Sequence, residues 1–389
     1  MFGFGKLGTY DYFAHVAGAL KARFEAAGLE LETHVVDVAP TASIRRRAAR
    51  LAELVHATAG NGEDHLHIVG HSTGGLDARL VASPSARLPV APEKLAWLPR
   101  LASVTTMSTP HYGTPLASFF ATVSGQRMLY AVSALTFIAL SVGAPPLAAA
   151  SALVVALGQL DRAVLGMEIA VLDRTTEALL KVLEPATSRE VRDFLGAITK
   201  DQGAMIQLTP EAMDLFQSGV EDRPGVHYQC TVAAAPSPSA RRLARTMLTP
   251  WRAISSALFT TLYGITSRID EVHYPCAAAD ADALLEPLFR RLPTAGANDG
   301  VVPTRSQIWG KIVWAGAGDH LDILGHFRHL APVDPAPFWR RVFAKRPDQV
   351  HVDWLTSGSN FDLDQFGRLM DAIAGGMLRS TGFPNPGEN

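Results

Sequence analysis

The sequence has no excess of basic residues. Its 389 residues include 35 lysines and arginines against 37 aspartates and glutamates, which gives a formal charge of −2 and a pI near 6.7. Nucleic-acid binding relies on cationic side chains that neutralise phosphates, and no basic stretch here is interleaved with aromatic residues. The composition therefore argues against a nucleic-acid partner, while a hydrophobic fraction of 48% is enough for a large globular core.

Cysteine is equally scarce. Only Cys230 and Cys276 occur, too few for a disulfide scaffold and without the C-x-x-C spacing of zinc or redox sites. They form either one bridge or two free thiols, and the cellular compartment does not follow from them. The opening residues also lack the basic segment and apolar run of a secretion signal. From the sequence as written we expect a cytoplasmic protein.

Charge is missing altogether from residues 128–160, which contain no Asp, Glu, Lys, Arg or His. The sequence "GAPP" at 143–146 divides this run into halves of about 15 to 17 residues, whereas a helix needs about 20 to span a bilayer. Buried core, a membrane hairpin and a mobile cap are the three interpretations. We favour a lid over residues 116–160 that covers the site in water and contacts lipid at an interface.

Helix-like and strand-like segments alternate along the chain. The first helical repeat ends before Gly28 and consists of Phe13, Ala17, Leu20 and Phe24. Strand-like stretches follow at 31–39 and in "HLHIVG", "LASVTTMST", "VHYQCTVAA" and "KIVWAG", with helical segments between them. Such short alternating units predict an α/β fold with a mostly parallel sheet covered by helices on both faces.

One basic run falls within a predicted helix that begins after Ser43. Its apolar positions share one helical face and are Ile44, Ala48, Leu51 and Val55. We therefore expect the basic residues to form the solvent-exposed face of this helix. These residues are Arg45, Arg46, Arg47 and Arg50.

Ser72 lies in "GHSTGG" at 70–75, which has the form of a nucleophile elbow. The apolar "LHIV" precedes the motif and "LDARLVA" follows it, so the serine stands between a strand and a helix. Glycines on both sides allow a sharp turn, and the helix N-terminus directs backbone N–H groups towards a developing anion. The pattern G-x-S-x-G also occurs by chance, but this context makes Ser72 a candidate nucleophile.

A serine nucleophile needs a histidine to accept its proton and a carboxylate to hold that histidine. The sequence "GANDGVVP" presents Asp299 in a glycine-rich turn, and "GDHLDILGHF" presents His320 after the next strand-like stretch. Each has an ordinary structural explanation, because Asn-Asp-Gly is a common turn and most loop histidines are only solvated. Together with Ser72, however, they follow the chain order of α/β-hydrolases and predict a catalytic triad.

Four motifs in this order resemble those of bacterial triacylglycerol lipases of the Pseudomonas and Burkholderia type. They are "GHSTGG", "STPHYGTPLA" (108–117), "NDGVVP" (298–303) and "DHLD" (319–322). The opening "FGFGKLGTYDYF" looks like the His-Gly oxyanion loop of that family and the helix after it. The resemblance in motifs covers about residues 1–120 and 295–327.

This resemblance implies roles for five residues. Ser72 would be the nucleophile, Asp299 the acid and His320 the base. The oxyanion hole would consist of the backbone N–H groups of Phe4 and Thr73. The resemblance implies no organic cofactor, and it implies a lipid or another hydrophobic ester as the substrate.

Three features depart from the family pattern. Phe2 stands where the family has the histidine of its His-Gly pair, and almost nothing precedes it, so we expect the native reading frame to begin upstream and supply a further strand. Asp322 matches one calcium ligand of the family, but His326 replaces an expected glutamine and no partner aspartate is found, so no metal site is carried over. The two cysteines do not occupy the family's disulfide positions.

Two other classes of protein compete with a serine hydrolase. A metal hydrolase would use the histidines around the elbow or those after residue 320, but His65 and His67 alternate along a strand and the Asp-His pair of a dinuclear motif is missing. We reject that class. A catalytically weak lipid-binding or membrane-associated protein on a hydrolase scaffold remains the alternative, favoured by the apolar run 128–160.

The sequence thus predicts one α/β-hydrolase domain in three parts. Residues 1–115 form the core with the oxyanion loop and elbow, residues 116–195 a helical cap, and residues 196–389 the remaining core with a second helical insert near 237–292. The predicted reaction is hydrolysis of carboxylic esters with hydrophobic acyl chains through an acyl-enzyme. Acyl chain length, acyl transfer to other alcohols and the oligomeric state do not follow from the sequence.

Overall fold

Strands and helices alternate along the described chain. The computed structural model describes residues 6–7, 10–39, 41–59, 62–122, 125–126, 128–130, 132–134, 177, 180–181, 185–240, 249–329, 349–352 and 354–383. The strands are β1 (Lys6–Leu7), β2 (Tyr10–Asp11), β3 (Leu66–His71), β4 (Leu101–Met107), β5 (His227–Ala234), β6 (Lys311–Ala317), β7 (Phe327–His329) and β8 (Gln349–His351). The helices are α1 (Ala14–Ala26), α2 (Ile44–Ala59), α3 (Thr73–Ala82), α4 (Pro115–Phe120), α5 (Pro185–Lys200), α6 (Gly203–Gln207), α7 (Pro210–Gly219), α8 (Pro250–Thr266), α9 (Ala281–Leu285) and α10 (Leu363–Ser380).

Four of these strands form one parallel sheet in the order β3-β4-β5-β6. His71 lies opposite Met107, and Met107 lies opposite Thr231, with β5 continuing to Ala234, so the carboxyl ends of these parallel strands point to one edge of the sheet. Parallel neighbours require crossover connections, which the intervening helices supply. The short strands β1 and β2, and β7 and β8, form separate antiparallel pairs. The predicted α/β class is confirmed.

Helices cover both faces of this sheet. On one face, α2 and α3 pack against the core that contains Ile68 and Val104. On the other face, α10 contacts β4, β5 and β6, and α1 packs against α10. Here Gln229 donates hydrogen bonds to Thr105 and to the carbonyl of Ile373 in α10. Burial on both sides explains why every residue of β4 is buried.

Helix α1 has the apolar face that its sequence predicts. Val16, Leu20 and Phe24 are buried, and Ala17 lies at the edge of that face. The helix ends just before Gly28, whose φ of 75° is the left-handed conformation that terminates many helices. Periodicity and a terminal glycine were therefore sufficient to predict this element.

Helix α2 differs from its prediction at one residue. Arg45, Arg46 and Arg50 are exposed as expected, but Arg47 is buried and forms an ion pair with Asp77 of α3. The nearest atoms, Nη2 and Oδ2, are 2.9 Å apart. The expectation that all four arginines are solvated was wrong, because a carboxylate on the neighbouring helix makes burial of one of them tolerable.

The strand-like segment 31–39 is not a strand. Within the described ranges, no strand pairs with it and it has no regular secondary structure. Alternating apolar residues favour a pleated, half-buried surface, but a strand also needs a neighbour that accepts and donates its backbone hydrogen bonds. The sequence pattern alone did not reveal that this neighbour is missing from the described sheet.

One hydrophobic cluster contains residues from all three predicted parts of the domain. It includes Tyr12 from the first part, Phe120 and Leu195 from the second, and Leu208 and Ile373 from the third. The boundaries of the three parts remain a prediction. Most of the predicted lid, from residue 135 onwards, lies outside the described residues.

The described helices offer no membrane span. None of them combines the length with the apolar character that a bilayer crossing requires. The longest apolar candidate in the second predicted insert, α8, contains buried residues such as Leu262 and packs into the hydrophobic core. It is therefore a core helix of the domain.

Both cysteines are buried free thiols. Cys230 lies in the centre of β5, and Cys276 lies in the segment between α8 and α9. Burial raises the pKa of each thiol to about 12, because an apolar environment disfavours the thiolate. Of the two arrangements left open by the sequence, the structure has the unbridged one.

Candidate active site

Ser72 forms the junction between β3 and α3. Its φ of 55° and ψ of −131° lie in a region that L residues rarely adopt. Its backbone N–H donates to the carbonyl of Met107 at 2.9 Å, which anchors the turn to the carboxyl end of β4. Such backbone strain costs on the order of 1–3 kcal/mol and is found preferentially at functional sites. The predicted nucleophile thus has the backbone geometry of an elbow.

Two glycines make this turn possible. A Cβ atom at Gly70 would overlap the backbone of Gly74, and a Cβ atom at Gly75 would overlap the side chain of Thr109. The Cβ position of Gly74, by contrast, faces open space. Glycine is therefore required at 70 and 75 by the close approach of the strand, the helix and the residues after β4.

Asp299 and His320 form a buried hydrogen-bonded pair. Oδ2 of Asp299 lies 2.8 Å from Nδ1 of His320, and both side chains are fully buried. The backbone N–H of His320 also donates to the carbonyl of Asp299 at 2.9 Å. Because an ionised carboxylate only accepts, the imidazole proton lies on Nδ1. Nε2 is buried and has no hydrogen-bond partner among the described residues.

Three further groups hold the Asp299 carboxylate. The N–H groups of Val301 and Val302 donate to Oδ1 at 2.9 and 2.7 Å, and Nε2 of Gln307 donates to Oδ2 at 3.3 Å. Gln307 is itself held by the N–H of Ala233 in β5, 2.7 Å from its Oε1. Sequence reasoning missed Gln307, because no motif marks a residue whose role depends on the chain folding back beside Asp299.

His71 connects this pair to Ser72. Its Nε2 lies 2.9 Å from the carbonyl oxygen of His320, and the two imidazole centroids are 4.6 Å apart. Since His71 directly precedes Ser72, this hydrogen bond links the loop that carries His320 to the strand end that carries Ser72. Asp299, His320 and His71 therefore form one buried cluster, and Ser72, which is also buried, directly follows His71.

The electrostatic environment keeps both histidines of this cluster neutral. Burial lowers the pKa of His320 below the ordinary value of 6.5, against the opposing attraction of Asp299. Burial and the neighbouring His320 also hold the pKa of His71 well below that value. Near pH 7 His320 is therefore in the form that can accept a proton at Nε2.

Only one of the two predicted oxyanion donors can be placed. Thr73 is the first residue of α3, so its backbone N–H belongs to the helix N-terminus immediately after Ser72. First-turn N–H groups lack partners within the helix and carry the positive end of its dipole. Phe4, the other predicted donor, lies outside the described residues.

A shallow apolar pocket adjoins Ser72. Helix α4, helix α6 and the residues after Asp299 contribute its walls. The main apolar lining residues are Leu116, Phe120, Met205, Leu208, Val301 and Val302. A hydrophobic group bound here would lie directly beside the Ser72 side chain.

Asp322, the match to a calcium ligand of the lipase family, contacts residues of its own loop and of the chain segment 351–359. Its Oδ2 accepts hydrogen bonds from the N–H of Asp319 at 2.8 Å and from the hydroxyl of Ser359 at 2.6 Å. Its Oδ1 lies 3.5 Å from Nε2 of His351. These contacts stabilise the loop that carries His320. Over the described ranges, no three potential metal-ligating side chains come together.

Several solved structures are similar to this chain. Staphylococcus hyicus lipase shares 14% identity, with 98% of this chain and 94% of that chain covered and a TM-score of 0.49. Lipase 1 from Pelosinus fermentans shares 15% identity, covering 82% and 89%, with a TM-score of 0.45. A metagenomic carboxyl esterase shares 17% identity, covering 91% and 68%, with a TM-score of 0.42.

No protein-family model matches the chain, and no curated protein sequence matches it. The similar structures are thus bacterial lipases and esterases, whose identities and TM-scores are low. A likeness at this level carries no conclusion about the reaction. The function has to be inferred from the site itself.

Proposed function

We propose that the protein is a serine hydrolase that cleaves carboxylic esters of hydrophobic acyl chains through an acyl-enzyme. The observation that carries this proposal is the buried Asp299–His320 pair, whose loop is hydrogen-bonded to the residue before Ser72, with Nε2 of His320 unpartnered among the described residues. A buried polar atom without a hydrogen bond is costly and needs an explanation. A serine hydroxyl activated by Nε2 supplies that explanation.

The proposed mechanism assigns one task to each residue. Asp299 fixes the tautomer of the neutral His320 imidazole. Oγ of Ser72 attacks the ester carbonyl while Nε2 of His320 takes the Ser72 proton, and Asp299 stabilises the imidazolium that forms. The backbone N–H groups of Thr73 and Phe4 stabilise the oxyanion. His320 then protonates the leaving alkoxide. In the second half of the reaction, His320 takes a proton from water, whose oxygen attacks the acyl carbonyl. His320 then gives that proton to Oγ of Ser72 as the carboxylic acid leaves.

The pocket beside Ser72 supports a hydrophobic acyl group as the bound part of the substrate. Its lining residues carry no charge, and large apolar side chains such as Phe120 and Met205 form its walls. Apolar walls with a few polar groups at one end are typical of small-molecule sites. The proposal also includes a relation of this chain to lipases of the Pseudomonas and Burkholderia type, which the four sequence motifs support.

The proposal includes the lid over residues 116–160. Helix α4, whose residues from 116 onwards begin this segment, lines the pocket, and Ser72 is only 3% exposed. We expect the hydrolysis rate of a sparingly soluble ester to rise abruptly above its solubility limit, and Leu135→Asp or Ile138→Asp to reduce that rise. A smooth hyperbola, unaltered by either substitution, would contradict a lid and leave an esterase with a packed cap.

A fluorophosphonate probe tests the central proposal. Intact-mass measurement and peptide mapping should show one adduct, on Ser72, and hydrolysis of p-nitrophenyl esters should disappear in proportion to labelling. Ser72→Ala should abolish the adduct, whereas the matched control Ser103→Ala, which alters a buried serine in the adjacent strand β4, should retain it. A folded protein that is neither labelled nor active would instead support the lipid-binding alternative.

A further inference from the structure

His71 lies between the strand end that carries Ser72 and the loop that carries His320. Its Nε2 is 2.9 Å from the carbonyl oxygen of His320, and its Nδ1 is 3.1 Å from the hydroxyl of Tyr12. The residue is 1% exposed, so both contacts lie inside the protein. The mechanism proposed above makes no use of this side chain.

The direction of both hydrogen bonds follows from the acceptor at one end. A carbonyl oxygen has no proton to give, so Nε2 of His71 donates to His320. In a neutral imidazole the other nitrogen is then an acceptor, and the Tyr12 hydroxyl donates to Nδ1. Because its pKa is held well below the ordinary value, the His71 ring remains neutral. Tyr12 and His320 together therefore select one tautomer of His71.

Two other hydrogen bonds of His320 run to a single turn. Its N–H donates to the Asp299 carbonyl, and its Nδ1 donates to the Asp299 carboxylate. These two bonds fix the imidazole relative to Asp299, and the hydrogen bond from His71 fixes the same loop relative to the residue that precedes Ser72. Since an error of about 1 Å in the placement of reacting groups costs about 10²-fold in rate, this bond matters for turnover.

We propose that His71 is a positioning residue, which sets the distance between Ser72 and His320 by binding the main-chain carbonyl of the base. Tyr12 supports it by fixing its tautomer. This inference rests on the proposed serine-hydrolase function. Tyr12 lies between the predicted oxyanion loop and the first residue of α1. The hydrogen bonds from Tyr12 to His71 and from His71 to His320 therefore connect the start of this helix to the base.

Two other roles for His71 are distinguishable. It cannot replace His320 as the base, because its Nε2 donates to a backbone carbonyl and its Nδ1 accepts from Tyr12. A histidine that only fills the core would alter stability without a selective effect on kcat. The informative measurement is therefore turnover, separated from KM and from folding.

The test compares two amides at position 71 that differ by one methylene group. The side chain of His71→Gln places an N–H donor near the position of Nε2, whereas that of His71→Asn is too short to reach the His320 carbonyl. With p-nitrophenyl butyrate as substrate, we expect His71→Asn to lower kcat by about 10-fold to 100-fold and to leave KM within about twofold. His71→Gln should keep kcat within about threefold of the wild-type value.

Two further variants complete the experiment. His67→Asn is the matched control, because His67 lies in the same strand but its Nδ1 is hydrogen-bonded to Ser103, 2.7 Å away in β4. Its kcat should equal that of the wild-type protein. Tyr12→Phe removes only a hydroxyl and should lower kcat by about threefold or more. It decides the question if His71→Asn does not fold, as judged by circular dichroism and thermal melting.

The proposal is overturned by a wild-type kcat in folded His71→Asn, or by equal losses in His71→Asn and His71→Gln. If His71→Asn is unfolded, an unchanged kcat in Tyr12→Phe overturns it. Failure of the underlying function is a different result, in which the wild-type protein hydrolyses no ester and Ser72 takes no fluorophosphonate. The positioning role is then rejected together with the reaction it serves.

Discussion

At the scale of single residues, the carboxylate of Asp299 accepts hydrogen bonds from two backbone N–H groups and from Gln307 in addition to its contact with His320. A carboxylate bound in this way cannot rotate, so the imidazole it holds has one orientation. Nε2 of His320, which has no hydrogen-bond partner in the described part of the chain, then points in one direction only. Groups arranged in this way act as a unit, and the losses caused by removing them do not add.

We predict that Ser72→Ala and His320→Ala each lower kcat by about 10⁴-fold to 10⁶-fold, and that Asp299→Asn costs somewhat less. The double variant Ser72→Ala, His320→Ala should be no slower than Ser72→Ala alone. Steady-state hydrolysis of a p-nitrophenyl ester provides the measurement. If folded His320→Ala kept more than about a tenth of the activity, the base would be wrongly assigned, and His326→Ala would be examined next.

At the scale of secondary-structure elements, the elbow between β3 and α3 depends on backbone approach at Gly70. We predict that Gly70→Ala lowers the free energy of unfolding by about 1–3 kcal/mol, because its Cβ meets rigid backbone. The new Cβ in Gly74→Ala faces open space within a helix, so the free energy of unfolding should stay unchanged or rise by about 0.5–1 kcal/mol. Urea unfolding of both variants checks the contrast, and equal losses would refute it.

The contact between α2 and α3 contains the buried pair Arg47–Asp77. We predict that Asp77→Ala lowers the free energy of unfolding by about 3–5 kcal/mol, because it removes the carboxylate that is paired with the buried Arg47 guanidinium. The exposed pair Arg50–Glu53 in α2 provides the control, and Arg50→Ala should cost less than about 1 kcal/mol. A comparable loss in both variants, measured by chemical unfolding, would contradict the assigned importance of burial.

The helices, the strands and the elbow also show how much of the structure the sequence could predict. Periodic apolar residues correctly predicted α1, α2 and the four strands of the parallel sheet. The elbow pattern with its chain order predicted a triad of Ser72, Asp299 and His320; the structure has the Asp299–His320 hydrogen bond, and the catalytic roles stay a prediction. Burial of Arg47 escaped prediction because it depends on a carboxylate in another helix. Gln307 escaped it because its hydrogen bonds join positions that only the fold brings together, and segment 31–39 because a strand requires a partner.

At the scale of the whole molecule, the interior contains several neutral histidines. Four with lowered pKa values are almost fully buried, and they are His71, His111, His320 and His326. Burial is the largest cause in each case, and it lowers the pKa of His326 to about 3. In the unfolded chain these groups return to about 6.5, so below that pH the unfolded state binds more protons than the folded state.

Stability from these histidines is therefore fully present above about pH 6.5 and is lost as the pH falls towards their folded-state pKa values. We predict that the free energy of unfolding, measured in urea, declines from pH 7 to pH 5. Each buried histidine contributes up to about 1.4 kcal/mol per pH unit to this decline. His111→Gln should flatten this dependence, because burial holds the pKa of His111 well below its ordinary value. An unchanged slope in His111→Gln would be evidence against this account.

The burial of Cys230 and Cys276 also determines how motion in this molecule can be observed. They are the only cysteines in the chain, and as buried thiols of high pKa they do not react with maleimides in the native state. A cysteine introduced at an exposed position such as Leu215 in α7, which is 73% exposed, becomes the single reactive thiol. A fluorophore attached there reports from one known point of the surface, and no native residue in the core has to be replaced.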